Sequence, residues 1–435
     1  MNPASWHFRS ARLAYNLLIH ALIPIALLHF LWRSRSEPGY RHHLGERLGA
    51  GPDPEPGSNL WVHAASLGEM RVAGILLNAL CLDHPKLRIQ LTTLTPAGRA
   101  EGERMRAAGL PVTVRYLPLD SPPLLRRFIR RLEPGVLVLI ETELWPNLLW
   151  RTHRAGIPAV LVNARLSPRL RSTYRRLRAL YGPLLAGFEW VAAQAPEDAE
   201  HFRSLGARKV EVTGNLKFDL PSTRNEIALA RGRFAGRWLW VAGSTHPGEE
   251  EQLLDVHRRL RDAHPEIRIQ LLLAPRHPRR APEILDQVER AGLSALLRSR
   301  LSPSGSNADV IVLDTLGELA GLYALADAAF VGGSLVDHGG QNPLEPIAAD
   351  CPVIVGPDSR NFNDIVRQLV ADRAIIQVAD AEGLRSNLET LLLTPERGAA
   401  MVWQAQRTVN ANRGATARTL DLLWPMLQSP RPEVQ

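Results

Sequence analysis

A chain of 435 residues is too long for one compact hydrophobic core and predicts two domains of ordinary size. Its hydrophobic content of 45% and charged content of 22% are those of a globular protein and exclude a disordered chain. The net charge of +8 predicts acidic partners, but the basic residues are spread through helix-like segments without interleaved aromatic side chains, which argues against nucleic acid.

The first segment with a clear character is the uncharged, apolar run Leu13–Trp32, which has arginines on both sides. Its length of about 20 residues is what a helix needs to cross a bilayer core. Polar residues such as Asn16 and His20 interrupt the run, so a helix lying in the membrane interface is the alternative to a spanning one. Arginines rather than a small-residue cleavage site follow it, which argues against a cleaved signal peptide. We therefore predict a membrane anchor over residues 1–36.

After a Gly- and Pro-rich loop, short apolar runs alternate with helix-length segments such as Pro96–Ala108, Glu197–Leu205 and Gly248–Asp262. This alternation predicts the α/β class, with doubly wound parallel sheets. The pattern breaks near residues 214–237. We therefore predict an N-terminal domain over residues 37–214 and a C-terminal domain over residues 215–435 that includes the last helices. The predicted strands are Leu60–His63, Ile89–Thr93, Val112–Tyr116, Val136–Ile140, Ala159–Val162, Trp190–Ala193, Trp238–Ala242, Ile269–Leu273, Val310–Leu313, Ala328–Val331 and Val353–Val355.

Ligands of open parallel sheets bind beyond the carboxyl ends of the strands, so residues at those ends are the first candidates for a site. The run "LWVHAASLGEM" begins as a strand, then loses its bulk over Ala64–Gly68 and presents Glu69. Either Glu69 is only a first-turn helix carboxylate, or it is held over a space where something binds. "ETELWP" offers a similar choice, because Glu143 fits a helix cap while Glu141 and Glu143 together predict one inward-facing acid.

In the second half, Arg276 and His277 follow a strand and predict an anion contact, with a solvated turn as the alternative. The glycines of "GGSLVDHGGQNPLEP" (residues 332–346) predict that backbone approaches a ligand closely, with a helix beginning near Pro343. The sequence contains no P-loop, no strand-linked G-x-G-x-x-G, no H-E-x-x-H and no G-x-S-x-G. No Asp-x-Asp pair follows a strand, so we predict no metal site.

Taken together and in order, "WVHAASLGE", "IETELWPN", "LVNARLS", "VTGNLKFD", "GSTHPGEEE", "APRHP" and "GGSLVDHGGQNPLEP" resemble the bacterial 3-deoxy-D-manno-octulosonic acid (Kdo) transferases over essentially the whole chain. The resemblance implies a GT-B glycosyltransferase whose two Rossmann-like domains face a cleft. It implies transfer of Kdo from CMP-Kdo to the tetraacylated lipid A precursor, with inversion and without a cofactor. It also implies location at the inner membrane, with the catalytic domains on the cytoplasmic face.

The resemblance also assigns roles to residues. Glu69 matches the general base, and Glu141 and Lys217 match positions that stabilise the transition state. Gln341 stands where many relatives have histidine, so no acid role is assigned to it. The positions that match CMP contacts are Pro275, Arg276, Gly317, Glu318, Leu319, Asn342, Pro343, Leu344 and Glu345.

Three alternatives remain: another membrane-associated GT-B nucleotide-sugar transferase, a GT-B nucleotide-sugar epimerase, and a non-catalytic nucleotide-sugar binding protein. The N-terminal anchor argues against an epimerase. The presence of Glu69, Glu141 and Lys217 argues against loss of catalysis.

Overall fold

The computed structural model describes residues 6–35, 37–50, 59–219, 234, 236–302 and 305–428. The chain divides into two compact units. The first contains the chain up to Asp219 together with the chain from Asn412 onward, and the second contains residues 220–411.

The first unit is built on a seven-stranded parallel sheet with the order β3-β2-β1-β4-β5-β6-β7. The central strands are apolar and buried, as expected where helices cover both faces of a parallel sheet. Its strands are β1 (Leu60–His63), β2 (Ile89–Thr93), β3 (Val112–Tyr116), β4 (Val136–Ile140), β5 (Ala159–Ala164), β6 (Trp190–Ala193) and β7 (Val210–Val212). Its helices are α1 (Trp6–Arg33), α2 (Leu44–Arg47), α3 (Leu67–Asp83), α4 (Pro96–Ala107), α5 (Pro122–Leu132), α6 (Pro146–Arg154), α7 (Pro168–Arg176), α8 (Arg178–Leu185) and α9 (Pro196–Leu205), with α17 at the C-terminus.

The second unit repeats this plan, with a seven-stranded parallel sheet of order β10-β11-β9-β8-β12-β13-β14. Its strands are β8 (Trp238–Thr245), β9 (Ile269–Pro275), β10 (Ala295–Leu297), β11 (Val310–Val312), β12 (Ala328–Val331), β13 (Val353–Val355) and β14 (Ile376–Gln377). The helices from here to the C-terminus are α10 (Glu250–Ala263), α11 (Ala281–Arg290), α12 (Leu319–Tyr323), α13 (Leu344–Ala348), α14 (Asn363–Ala371), α15 (Ala381–Leu393), α16 (Pro395–Asn412) and α17 (Ala415–Gln428).

The predicted doubly wound parallel sheets are confirmed, and all eleven predicted strands form, with ends that differ by at most three residues. Strands β7, β10 and β14 were not predicted. Each has only two or three residues and lies at the edge of its sheet, so none has the continuous apolar run of a strand buried on both faces.

The C-terminal helix differs from the prediction, because α17 belongs to the first unit and not to the second. The Asp219 carboxylate accepts the backbone N–H groups of Gly414 (2.7 Å) and Thr416 (2.5 Å) at the start of α17. Arg418 donates to the Thr213 carbonyl, and the apolar face of α17 joins the core beside α3. The chain therefore leaves the first unit after Asp219, later than the predicted boundary at residue 214, and returns to it at Asn412.

The predicted anchor forms α1, and contacts with the first unit extend along its length. Phe8 is buried, and the Tyr15 hydroxyl donates to the buried Asp120 carboxylate at 2.7 Å. Near the other end, the Phe30 ring stacks on Tyr40 with centroids 5.9 Å apart. Among the described residues, α1 is the one helix long and apolar enough to cross a membrane. Its remaining surface exposes large apolar side chains: Trp6, Leu13, Leu17, Leu18, Leu22, Ile25, Leu28, Leu31 and Trp32.

Strand order also locates the places where a ligand can bind. In the first sheet the order reverses between β1 and β4, and in the second it reverses between β8 and β12. At each reversal, the connections that follow the two adjacent strands run to opposite faces of the sheet. This opens a crevice beyond the carboxyl ends of those strands. The loops that follow β1, β4, β8 and β12 are therefore where sites are expected.

Candidate active site

Glu69 lies in the first turn of α3, directly after β1. Ser66 caps this helix, and its hydroxyl donates to Glu69 Oε1 at 3.0 Å. The backbone N–H of Ala65 donates to Glu69 Oε2 at 2.7 Å. The serine and glutamate therefore form an arrangement of the capping-box type, which fixes the carboxylate at the strand end. Glu69 therefore has the structural role of a first-turn helix carboxylate.

Glu141 lies at the end of the neighbouring strand β4 and is paired with two cations. Its backbone is left-handed (φ 61°), a conformation that costs about 1–2 kcal/mol in a residue other than glycine. Its Oε1 is 3.1 Å from Lys217 Nζ, and its Oε2 is 3.4 Å from Arg165 Nε. Asn163, also left-handed (φ 56°), accepts the N–H of Leu216 and so holds the 3₁₀ turn that carries the lysine. The fold thus brings Glu141 and Lys217 together from distant parts of the sequence.

Glu143, two residues further on, faces the buried side chain of His63. The His63 Nδ1 lies 3.1 Å from both the carbonyl oxygen and the hydroxyl oxygen of Thr92. Its Nε2 lies 3.7 Å from Glu143 Oε2, an ion-pair distance, and Trp145 Nε1 donates to the same oxygen at 2.7 Å. Burial raises the pKa of Glu143, but its contacts with His63 and Trp145 outweigh burial, and the net shift is downward.

The pKa of Glu69 shifts in the opposite direction to that of Glu143. Burial, followed by the negative charges of Glu143 and Glu141, raises the pKa of Glu69 to about 8, although the Ala65 N–H and the Ser66 hydroxyl act to lower it. Among the described residues no lysine, arginine or histidine forms an ion pair with Glu69, whereas Glu141 pairs with Lys217 and Arg165, and Glu143 lies 3.7 Å from His63. Helix capping does not require surroundings that raise the pKa of a carboxyl. A general base that works near neutral pH does require a raised pKa.

The small residues before Glu69 do not all leave open space. Ala64 and Ala65 are buried and pack into the core, while Ser66 is half-buried and Gly68 is exposed. A methyl group added at Gly68 would find its nearest neighbour at 3.9 Å. The expected room beside the carboxylate is therefore confined to the Gly68 side of the turn.

In the second unit, the predicted CMP contacts follow strands β9, β11 and β12. Pro275 ends β9, and the N–H of the exposed Arg276 donates to the Thr245 carbonyl at 2.9 Å. Glu318 caps α12, where it pairs with Arg298 at 3.3 Å and accepts the Thr315 hydroxyl, so its carboxylate is already engaged.

The other predicted contacts lie around α12 and α13, two short helices that pack against each other. Gly317 has a left-handed backbone (φ 82°), and Leu319 begins α12. Asn342 accepts the N–H of Leu344, which is buried, while Pro343 caps α13 and Glu345 is exposed. Pro275 is therefore the last residue of its strand, and the other eight residues lie in the segments that follow β9, β11 and β12 of one sheet.

The glycine-rich loop after β12 is not free to present its backbone to a ligand. The carboxylate of Glu249 accepts the N–H groups of Gly333 (2.8 Å), Ser334 (3.1 Å) and Leu335 (3.0 Å). It also accepts the N–H of His246 at 3.2 Å. The expectation of close backbone approach is therefore wrong at these three positions, because a buried side chain of the protein occupies the donors.

Three residues important to these contacts were not assigned roles from the sequence. His63 interrupts an apolar strand, which is a visible signal, while Arg165 closely follows the end of its predicted strand in "LVNARLS". Glu249 gave no signal, because an acidic residue next to the start of a helix is common. Among the described residues, no group of three or more His, Cys, Asp or Glu side chains is arranged to hold a metal ion.

Comparison with known proteins identifies the family. A sequence profile described as "3-Deoxy-D-manno-octulosonic-acid transferase (kdotransferase)" matches residues 42–220. The chain is 37% identical over 428 residues to the 3-deoxy-D-manno-octulosonic acid transferase of Haemophilus influenzae, covering 96% of this chain and 99% of that protein. It is 38% identical over 423 residues to the enzyme of the same description from Bordetella pertussis, covering 94% and 98%. The chain belongs to the Kdo transferase family.

As a Kdo transferase, the protein is a glycosyltransferase, which answers the epimerase and non-catalytic alternatives. A UDP-GlcNAc 2-epimerase from Neisseria meningitidis matches with a TM-score of 0.53 and 13% identity, over 84% of this chain and 99% of that one. At that identity the likeness concerns the fold alone. It confirms that the two α/β units of the transferase are of the GT-B type.

The raised pKa of Glu69 predicts how the stability of the transferase depends on pH. A carboxyl whose pKa is higher in the folded state stabilises the fold at low pH, and this contribution is lost as pH rises toward 8. Glu69→Gln does not titrate, so its melting temperature should rise relative to wild type between about pH 5 and pH 9. Thermal unfolding of both proteins across this range measures the difference.

Glu211→Gln is the matched control, because Glu211 is exposed on β7 of the same unit. Its melting temperature should follow that of wild type at every pH. If the difference between Glu69→Gln and wild type did not change with pH, Glu69 would have an ordinary pKa.

Proposed function

We propose that this transferase moves Kdo from CMP-Kdo to a hydroxyl group of the lipid A precursor, with inversion, and that Glu69 is the general base. The observation that carries the proposal is the state of Glu69, a largely buried carboxylate without a cationic partner beside two carboxylates that have partners. A carboxylate with a pKa of about 8 is basic enough to take a proton from a hydroxyl group that is becoming a nucleophile.

The proposed reaction is one displacement. As the acceptor oxygen forms a bond to the anomeric carbon of the donor, its proton passes to a carboxylate oxygen of Glu69. The bond from the anomeric carbon to the phosphate oxygen breaks, and CMP leaves with the bonding electrons. Attack opposite the leaving group inverts the anomeric centre. The Ser66 hydroxyl and the Ala65 N–H keep the Glu69 carboxylate oriented through the step.

Glu141, Lys217 and Arg165 serve the transition state in this proposal. The ion pairs of Glu141 fix the Lys217 ammonium group and leave it partly exposed at the same strand ends as Glu69. A positive charge there stabilises negative charge that develops on the reacting groups. A lysine suits this contact because its compact ammonium group acts as a point charge.

In the second unit, the proposed CMP site is formed by Arg276 and the loops that lead into α12 and α13. Arg276 is exposed and, among the described residues, forms no ion pair with a carboxylate. A phosphate would supply the missing counter-charge through charge-assisted hydrogen bonds. We propose that departure of CMP requires no metal ion, since the leaving group is a monophosphate that cationic side chains can stabilise.

With an anionic, acylated acceptor we also propose a location at the inner membrane, with the catalytic units on the cytoplasmic face. The exposed apolar face of α1 suits the acyl region of a bilayer. Next to it, α5 and α6 carry a cluster of arginines, where burial and then the positive charges of Arg126, Arg12 and Arg154 lower the pKa of Arg151. Lipid phosphates would compensate this cluster.

The base assignment predicts the behaviour of Glu69→Gln in transfer. The variant keeps the helix start but cannot accept a proton, so single-turnover transfer should fall by about 10²–10⁴-fold, while CMP binding is retained. Transfer of radiolabelled Kdo from CMP-Kdo generated in place, measured together with CMP calorimetry, gives both quantities.

Glu211→Gln is again the control and should transfer at the wild-type rate. A folded Glu69→Gln variant that binds CMP and turns over normally would remove Glu69 from the mechanism and return it to the capping role.

The contacts of α1 predict that it lies in the plane of the membrane rather than crossing it. Because Phe8, Tyr15 and Phe30 all contact the first unit, the helix would have to detach from it in order to span. In a background without Cys81 and Cys351, Trp6→Cys and Trp32→Cys place single thiols at the two ends of the exposed face. With protein bound to the outside of sealed vesicles, an impermeant maleimide should label both thiols to the same extent, because the two ends of an in-plane helix lie at the same depth.

Protection of one end until detergent is added would show a spanning helix. Labelling of Leu82→Cys, exposed at the end of α3, reports that the first unit is accessible in the same vesicles.

A further inference from the structure

The loops after β8, β9 and β12 bring together four basic side chains. His246 follows β8, and its ring stacks on that of His338, with centroids 4.2 Å apart and planes inclined by 22°. Arg276 and His277 follow β9, the neighbouring strand, and both are exposed. The stacked histidines lie where the strand order reverses between β8 and β12, the position in an open α/β sheet where ligands bind.

This cluster has no negative partner in the described part of the chain. Burial, followed by the charges of His338, Arg276, His277 and Arg280, lowers the pKa of His246 to about 4. Arg280 is neutralised by Glu250 and Glu283, but no carboxylate forms an ion pair with the other four groups. An arginine and imidazole N–H groups held close together without a carboxylate partner provide a place for an anionic ligand.

The histidine pair is held rigidly. The buried Glu249 carboxylate binds the backbone of His246 and the loop that leads to His338. The Gln341 amide lies 3.1 Å from His246 Nε2 and orients that ring. Because Glu249 occupies the N–H groups of residues 333–335, a ligand here must be recognised by side chains. The pair is therefore organised before any ligand arrives, which lowers the cost of binding.

We propose that His246 and His338 form a subsite for the carboxylate of the donor sugar, beside the phosphate contact made by Arg276. This inference rests on the proposed function, because a CMP-activated octulosonic acid carries two anionic groups, a phosphate and a carboxylate. One arginine does not satisfy both, and imidazole N–H groups are suitable donors to the second. The subsite explains why the histidines accompany the arginine at this strand edge, and it would favour acidic sugars over neutral ones.

The test compares three ligands by calorimetry: CMP, a CMP-Kdo analogue with a phosphonate that cannot be cleaved, and the same analogue with its carboxylate converted to an amide. Wild type should bind the acid analogue about ten- to hundredfold more tightly than the amide, the range for a hydrogen bond to a charged group. In His338→Ala the two analogues should bind within about twofold of each other, with CMP affinity unchanged. His338 is exposed, so its truncation leaves the core intact.

Arg279→Ala is the matched control, because Arg279 is an exposed positive charge on the same loop that does not act on His246. It should keep the wild-type preference for the acid analogue, and His338→Gln, which retains N–H donors, should restore part of it. A full preference in His338→Ala would overturn the subsite. If wild type bound neither CMP nor the acid analogue, the proposed function itself would fail, which is a distinguishable result.

Discussion

The first unit depends on an uneven distribution of charge among three carboxylates. Glu141 is paired with Lys217 and Arg165, Glu143 faces His63, and Glu69 has hydrogen bonds but no cation. Placing three acids together without compensation would cost several kcal/mol, so Glu141 is paired with cations and Glu143 is held by contacts with His63 and Trp145. The third acid, Glu69, remains difficult to ionise, which suits the general base proposed for it. The fold is therefore less stable at pH values where Glu69 is charged.

The second unit is built in a similar way, but the side chains that remain available there are basic rather than acidic. There the buried Glu249 is satisfied by four backbone N–H groups, while no carboxylate in the described part of the chain forms an ion pair with the basic side chains His246, His338 and Arg276. In both units an internal hydrogen-bond network fixes a loop at the reversal of strand order, and a set of charged groups remains for a ligand. Left-handed residues at the ends of strands, such as Glu141 and Ser244, redirect the chain at these points.

Most of the strands and several residues at their ends were predictable, because the sequence patterns that mark them are local and strong. Buried parallel strands are continuous apolar runs, and Glu69, Glu141 and Lys217 occupy recognisable motifs, so both the strands and the strand-end residues were found. Edge strands such as β7 carry exposed residues and give no such run. The return of α17 to the first unit depends on Asp219, a contact between positions distant in the chain that no local pattern reveals. The roles of His63 and Glu249 depend likewise on which backbone groups they meet in space.

The central claim is that burial, together with the charges of Glu143 and Glu141, sets the basicity of Glu69, and the pH dependence of single-turnover transfer tests it most directly. In wild type the rate should rise with pH through an apparent pKa of about 8. Glu143→Gln removes the neighbouring charge that raises this pKa most. Loss of that charge lowers the pKa of Glu69, so the profile should move to lower pH. An unchanged profile in Glu143→Gln would contradict the account.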